Sequence, residues 1–302
     1  MDGTTARPGL GRIVVGIDGS PSASTAAMWA AAEAARRGST LCLVHAADTD
    51  ASAPFLPQTE IARSRQAGRE LLDRTAEAVT ARHPELTVVT ELTDGAAPGS
   101  LRRAAALTGT IVVGHRGLGG FSSLLLGSVG LEVAAGATTP VVVVRGAEPA
   151  EPAEVGVVLA AVRDEADVGC ARAAAREALL RKTPVRLLHI WGVGLSSGPR
   201  ALLRNGGEEV ARDHVRALSS VSDTVREEFP ELTVHADGQK SHSVPGALVE
   251  ASRHADLLVV GGRRSPGYLG PTIGRTTLGL LQHAHCPVEL LPRQGPGHGS
   301  TS

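Results

Sequence analysis

The residues with most to say about chemistry are the run Val112, Val113, Gly114, His115, Arg116, Gly117, Leu118, Gly119, Gly120, Phe121, and then Gly127 and Ser128, with nine residues between Gly117 and Gly127. A β-branched strand that ends in spaced glycines and leads to a Gly-Ser helix start is suited to holding phosphate groups. Backbone amides approach an anion closely only where no Cβ intervenes, and the first N–H groups of a helix have no internal partner. Turn geometry alone is the competing account of isolated glycines. A graded series at strand end, loop and helix start favours the phosphate account, in which the amides of Gly114 to Gly120 and of Ser128 surround an anion. His115 and Arg116 lie inside this loop, and Arg116 either pairs with a phosphate or points to solvent.

A second loop, Gly16-Ile17-Asp18-Gly19-Ser20, follows the first apolar run. Asp18 could accept a hydrogen bond from a ribose hydroxyl or a base edge; its other reading is a turn or cap residue. Two familiar nucleotide motifs are missing. No Gly-Lys-Ser or Gly-Lys-Thr follows the glycines, and the first strand is not followed by the three spaced glycines of the dinucleotide fingerprint. The loop from Gly114 to Ser128 contains neither an acid nor a lysine, so no catalytic residue and no metal ligand is assigned there. His45 and His189 have no visible catalytic partner and read as core histidines.

These loops need elements to position them. Ile13–Ile17, Leu41–Ala46, Leu86–Leu92, Thr110–Gly114 and Val141–Val144 read as strands. Ser22–Arg37 and Glu60–Arg82 have helical spacing, a further helix opens after Pro98, and a short one begins at Ser128. Strands alternating with helices predict a parallel sheet with right-handed crossovers, hence a doubly wound α/β domain with ligands outside the carboxyl ends of its strands.

The pattern occurs twice. An offset of 144 pairs Ala30 with Ala174, Glu33 with Glu177, Arg37 with Arg181, Leu43 with Leu187 and His45 with His189; an offset of 147 pairs Pro98 with Pro245, Gly114 with Gly261, Gly127 with Gly274 and Pro140 with Pro287. So long a period means two copies of one domain, placed at 9–147 and 154–293. A Pro and Glu stretch over 146–152 reads as a linker, and the tail from Gln294 as disordered.

The 302 residues carry a formal net charge of -1, which offers nothing to draw the chain onto nucleic acid or an anionic membrane. Aromatic residues make up 2%, so the cores must be built from Ala, Val and Leu. Cys42, Cys170 and Cys286 lack metal-ligand spacing and read as buried thiols. No apolar run approaches the ~18 residues of a membrane span, and the amino end lacks a signal-type apolar region. A cytoplasmic protein is expected.

The spacing Gly114-x2-Gly117-x9-Gly127-Ser128, the opening Val14-Val15-Gly16-Ile17-Asp18-Gly19-Ser20, and Leu43-Val44-His45-Ala46 together resemble the universal stress protein family, in its ATP-binding branch with two tandem domains. The resemblance implies two five-stranded parallel sheets of order 3-2-1-4-5 with helices on both faces. It implies ATP, with or without Mg, as ligand: Gly16 and Asp18 by the nucleoside, Ala46 on the adenine, and Gly114, Gly117, Gly127, Ser128 and Val129 along ribose and phosphates. It also implies pairing through the last strands, Val141–Val144 and Val288–Leu291, between domains of one chain or in a homodimer. A regulatory, nucleotide-responsive role in stress adaptation, with an unknown protein partner, is the expected function. A slow ATPase or phosphotransfer enzyme and a nucleotide-free scaffold are the alternatives.

The second copy departs from the pattern. The offset of 144 places Ala160, Val162 and Arg163 where Gly16, Asp18 and Gly19 stand, and the offset of 147 places Arg264 and Arg275 where Gly117 and Ser128 stand. A single competent site, in the first domain, is expected.

Overall fold

The computed structural model describes residues 11–49, 57–106, 108–117, 126–145, 156–192, 206–262 and 273–292. The linker stretch, the tail from Gln294, and Leu118, Gly119 and Gly120 lie outside them, as do Arg263 and Arg264. The described residues form two compact units, 11–145 and 156–292.

In the first unit the order is β1 (Ile13–Gly16), α1 (Pro21–Arg37), β2 (Leu41–Ala46), α2 (Gln58–Arg82), β3 (Val88–Thr93), α3 (Ala97–Ala105), β4 (Thr110–Gly114), α4 (Ser128–Ala135) and β5 (Val141–Val144). The strands pair in parallel in the order β3-β2-β1-β4-β5, as expected for this fold class. Local chemistry sets the boundaries. Ser20 Oγ accepts from Ala23 N at 3.1 Å and Pro21 fills the first turn, so α1 starts there; Gly38, at φ 61, ends it. The third strand starts two residues later than expected. Leu86 N donates to His83 O at 3.0 Å and closes a turn, so pairing with β2 begins at Val88, opposite Leu41.

Side chains alternate across the sheet. Ile13, Val15, Leu41, Leu43, Val112 and Val142 form one core with Ala26, Ala27, Ala30, Ala31 and Ala34 of α1 and with Leu72 and Val79 of α2. The alanine stripe lets α1 lie close against its strands, which is how a chain with few aromatics fills its core. Helices α3 and α4 pack on each other, α3 against β1, β2 and β4 and α4 against β5. One ion pair is sealed into the α1 face. Glu33, fully buried, accepts from Arg37 Nε and from Arg36 Nη1, each at 2.7 Å, while Arg37 Nη1 donates to Thr110 Oγ1 at 3.1 Å and so ties α1 to β4.

The second unit repeats the plan: β6 (Val158–Ala161), α5 (Val168–Arg181), β7 (Val185–Gly192), α6 (Gly206–Glu228), β8 (Val234–Ser241), α7 (Val244–Ala251), β9 (Leu257–Gly261), α8 (Arg275–His283) and β10 (Val288–Leu291). Its parallel order is β10-β9-β6-β7-β8. The Glu177–Arg181 pair on α5 reproduces Glu33–Arg37. Cys42, Cys170 and Cys286 are buried free thiols, and burial pushes Cys286 up to about 12. Among the described residues no helix is long and apolar enough to cross a membrane.

Removing one partner of a buried ion pair costs about 3–5 kcal/mol, because the other charge keeps its desolvation penalty. Glu33→Ala is therefore expected to destabilise the first unit by about that amount, read as a lowered urea midpoint. A loss below about 1 kcal/mol would rank the pair with surface ion pairs.

Candidate functional site

At the carboxyl ends of β1 and β4 the first unit opens a cleft of about 340 Å³, within the size range of small-molecule sites. Its lining changes character from end to end. Val44 and Ala46 at the end of β2, with Ala97 and Leu101 of α3, make an apolar side; Gly114, Arg116 and Gly117 after β4, with Gly127, Ser128 and Val129 at the start of α4, make a side of backbone amides and one guanidinium. Gly16, Ile17 and Asp18 lie among the lining as well.

The amide side is shaped by close approach. Among the described glycines only Gly19, Gly38 and Gly156 have positive φ, so left-handed turn geometry does not explain Gly114, Gly117 or Gly127. A Cβ on Gly117 would stand 2.6 Å from Asp18 Oδ2, and one on Gly114 would stand 2.6 Å from the backbone oxygen of Ser22. These glycines let the loop after β4 press against the loop after β1. Gly127 N donates to His115 O at 2.9 Å, so the loop leaves β4 and returns to α4 at one place. The N-cap of α4 is Gly127, which supplies no side-chain acceptor. The first amides of the helix therefore face the cleft without a side-chain cap and carry the positive end of its dipole.

Asp18 Oδ1 accepts from Ser20 N at 2.9 Å, which fixes the carboxylate at the cleft edge and joins its turn role to its ligand-facing position. His115, expected in the site, is not among the lining residues. Arg116 N donates to Ser22 Oγ at 3.2 Å, and the same hydroxyl shares a hydrogen bond with His115 Nδ1 at 3.0 Å, so this imidazole supports the loop from behind. Burial first, then the charges of Arg145 and Arg116, hold its pKa below the ordinary value. Leu118, Gly119 and Gly120 fall outside the described residues.

Sequence reasoning missed the apolar side: Val44, Ala97 and Leu101 have no signature that separates cleft lining from core. His45, expected as a core histidine, is half-buried and lines the cleft. Its Nδ1–H donates to Ile17 O at 2.7 Å, pinning the loop that carries Asp18 to the end of β2. His189 makes the same bond to Val162 O at 2.8 Å and is 2% exposed, a core histidine as expected.

That shared bond corrects the alignment of the two copies. Val162 is the counterpart of Ile17, so the offset on the first strand is 145. The counterparts of Gly16, Asp18 and Gly19 are then Ala161, Arg163 and Asp164, in place of Ala160, Val162 and Arg163. The acidic residue is still lost, now to an opposite charge. In the second unit a carboxylate occupies the loop: Asp167, 6% exposed, accepts from Arg163 N at 2.8 Å, and its Oδ1 would lie 3.3 Å from a Cβ on Gly261. Where Ser22 stands beside Gly114, a buried anion stands beside Gly261. Arg275 opens α8 in the place of Ser128.

Two tandem doubly wound domains, one of them with an amide-lined cleft where its strand order reverses, define a two-domain α/β protein. Residues 9–145 and 155–292 each match the universal stress protein family, and the chain belongs to that family. A universal stress protein of Mycolicibacterium smegmatis is 28% identical over 286 residues, covering 92% of this chain and 96% of its own. One of Mycobacterium tuberculosis is 28% identical over 288 residues, covering 91% and 94%. The crystal structure of a universal stress protein from Archaeoglobus fulgidus shares the fold, with a TM-score of 0.69 at 15% identity over 94% of this chain and 98% of that one.

The second unit carries a titratable cluster beside its core histidine. His189 Nε2 lies 2.8 Å from His214 Nδ1, and Trp191 stacks on His214 at 5.0 Å between ring centres. Burial, then His189, lower the His214 pKa, with Asp213 opposing. A base whose pKa falls on folding takes up its proton more readily in the unfolded chain. Its contribution is therefore complete above the unfolded value of about 6.5 and declines as pH falls through it toward the folded value. Urea midpoints between pH 8 and 5 are expected to fall below about pH 6.5, with a shallower fall in His214→Phe; identical slopes for the two chains would contradict this assignment.

Proposed function

We propose that the first unit binds one adenine nucleotide, ATP in the first instance, and that the chain is a nucleotide-responsive regulatory protein of stress adaptation. The observation that carries this reading is the gradient of the cleft: an apolar wall at Val44, Ala46, Ala97 and Leu101 suited to a base, Asp18 at the edge suited to ribose hydroxyls, and the uncapped start of α4 suited to phosphates. The family resemblance supports the same order of contacts.

Binding is favoured over fast hydrolysis. Among the described residues lining the cleft, Asp18 is the one carboxylate, and its Oδ1 already accepts from Ser20 N. A base held near a terminal phosphate is what hydrolysis asks for, and the described lining supplies none at that end. An accompanying Mg would be held chiefly by the phosphates themselves.

The second unit is proposed to take no nucleotide, since Arg163 replaces the acid and the buried Asp167 carboxylate puts a negative charge at the end of β9, where Ser22 stands in the first unit. Titration calorimetry is expected to give one ATP per chain, and Gly117→Val to abolish binding, because its Cβ would meet Asp18 Oδ2 at 2.6 Å. Two equivalents per chain, or unchanged affinity in Gly117→Val, would overturn the proposal.

A further inference from the structure

An arginine closes the last strand of the first unit. In the β4–β5 register Gly114 stands opposite Val144, and His115 N donates to Val144 O at 3.0 Å, so Arg145 leaves β5 alongside His115 and Arg116. Its Nη1 is buried and has no hydrogen-bond partner among the described residues. Among the described residues, neither Arg145 nor Arg116 pairs with a carboxylate. The two cations instead face each other's field, and burial and the Arg116 charge both lower the Arg145 pKa. A buried guanidinium N–H with neither acceptor nor counter-charge is costly, and together with the exposed Arg116 of the cleft lining it makes a pair of cations complementary to an anion.

The second unit supplies an internal control. Gly262 N donates to Leu291 O at 3.2 Å, the counterpart of the His115–Val144 bond. The residue after Leu291 is Pro292, so the position equivalent to Arg145 holds no arginine in the copy whose loop holds a carboxylate of its own.

We propose that Arg116 and Arg145 form an anion subsite at the carboxyl ends of β4 and β5 that takes the outermost phosphate of the bound nucleotide, so that the first unit ranks its ligands by phosphate number. The identity of the ligand as a nucleotide rests on the reading above; the subsite itself rests on the two arginines. Arg116 reaches from the cleft lining, and Arg145 supplies a fixed charge behind it. Planar guanidinium groups suit the paired oxygens of a phosphate, and charge-assisted bonds of this kind are the strong ones.

The test is calorimetry of ATP, AMP and pyrophosphate on the full chain, on Arg145→Gln and on Arg116→Gln, the latter at an exposed side chain that folding does not depend on. The unaltered chain is expected to bind ATP more tightly than AMP. Each substitution is expected to weaken ATP about tenfold while moving AMP by less than about twofold, and to weaken pyrophosphate as it weakens ATP. Equal losses for ATP and AMP, or an unchanged ATP-to-AMP ratio in both variants, would overturn the subsite while leaving the nucleotide reading intact. Arginine-dependent pyrophosphate binding by a chain that ignores both nucleotides would uphold the subsite and overturn the nucleotide reading. A chain that binds none of the three overturns both.

Discussion

The cleft exists because β1 and β4 are parallel neighbours whose outgoing connections part to opposite faces of the sheet. From β1 the chain turns into α1 on one side, and from β4 it reaches α4 on the other, so the two connections diverge from the neighbouring strand ends. Parallel pairing puts both carboxyl ends on one edge, and that edge collects the loops of four strands. The chemical order of the lining, apolar toward β2 and α3 and amide-rich toward β4 and α4, follows from which element borders the gap on each side.

Several short bonds hold this gap in one shape. Ser20 caps α1 through Ala23 N, Ser22 receives Arg116 N, and His45 ties the Asp18 loop to the end of β2. Each joins a loop residue to a helix start or a strand end, so the loops inherit the rigidity of the sheet. The sealed Glu33–Arg37–Thr110 contact serves the same end by anchoring α1, whose first turn carries Ser22, to β4.

The second unit shows what happens when the scaffold is kept and the loops diverge. Its sheet order, its Glu177–Arg181 pair and its His189 staple match the first unit, because they are conditions of the fold. The loop after its first strand differs. Gly19 turns at φ 84, whereas its counterpart Asp164 is extended at φ -160, and Asp167 then brings a carboxylate to the end of β9. The place that Ser22 holds beside Gly114 is taken in the second unit by a carboxylate of its own chain.

By itself the sequence determined the class of fold, the strand order through its family resemblance, and the loops that matter, since apolar periodicity, spaced glycines and an internal repeat are local or register-like signals. Strand limits were legible to within two residues, and Gly16, Asp18, Ala46, Gly114, Arg116, Gly117, Gly127, Ser128 and Val129 do meet in one cleft. Tertiary structure alone decided the rest. Val44, Ala97 and Leu101 face the cleft and His115 stands behind it, because which side of a loop a side chain takes depends on what packs against it. The offset of 145 on the first strand, against 144 from the helix onward, surfaced only when His45 and His189 were seen holding equivalent carbonyls. Arg145 became informative for the same reason: a lone arginine after an apolar strand looks ordinary until its burial and its neighbours are known.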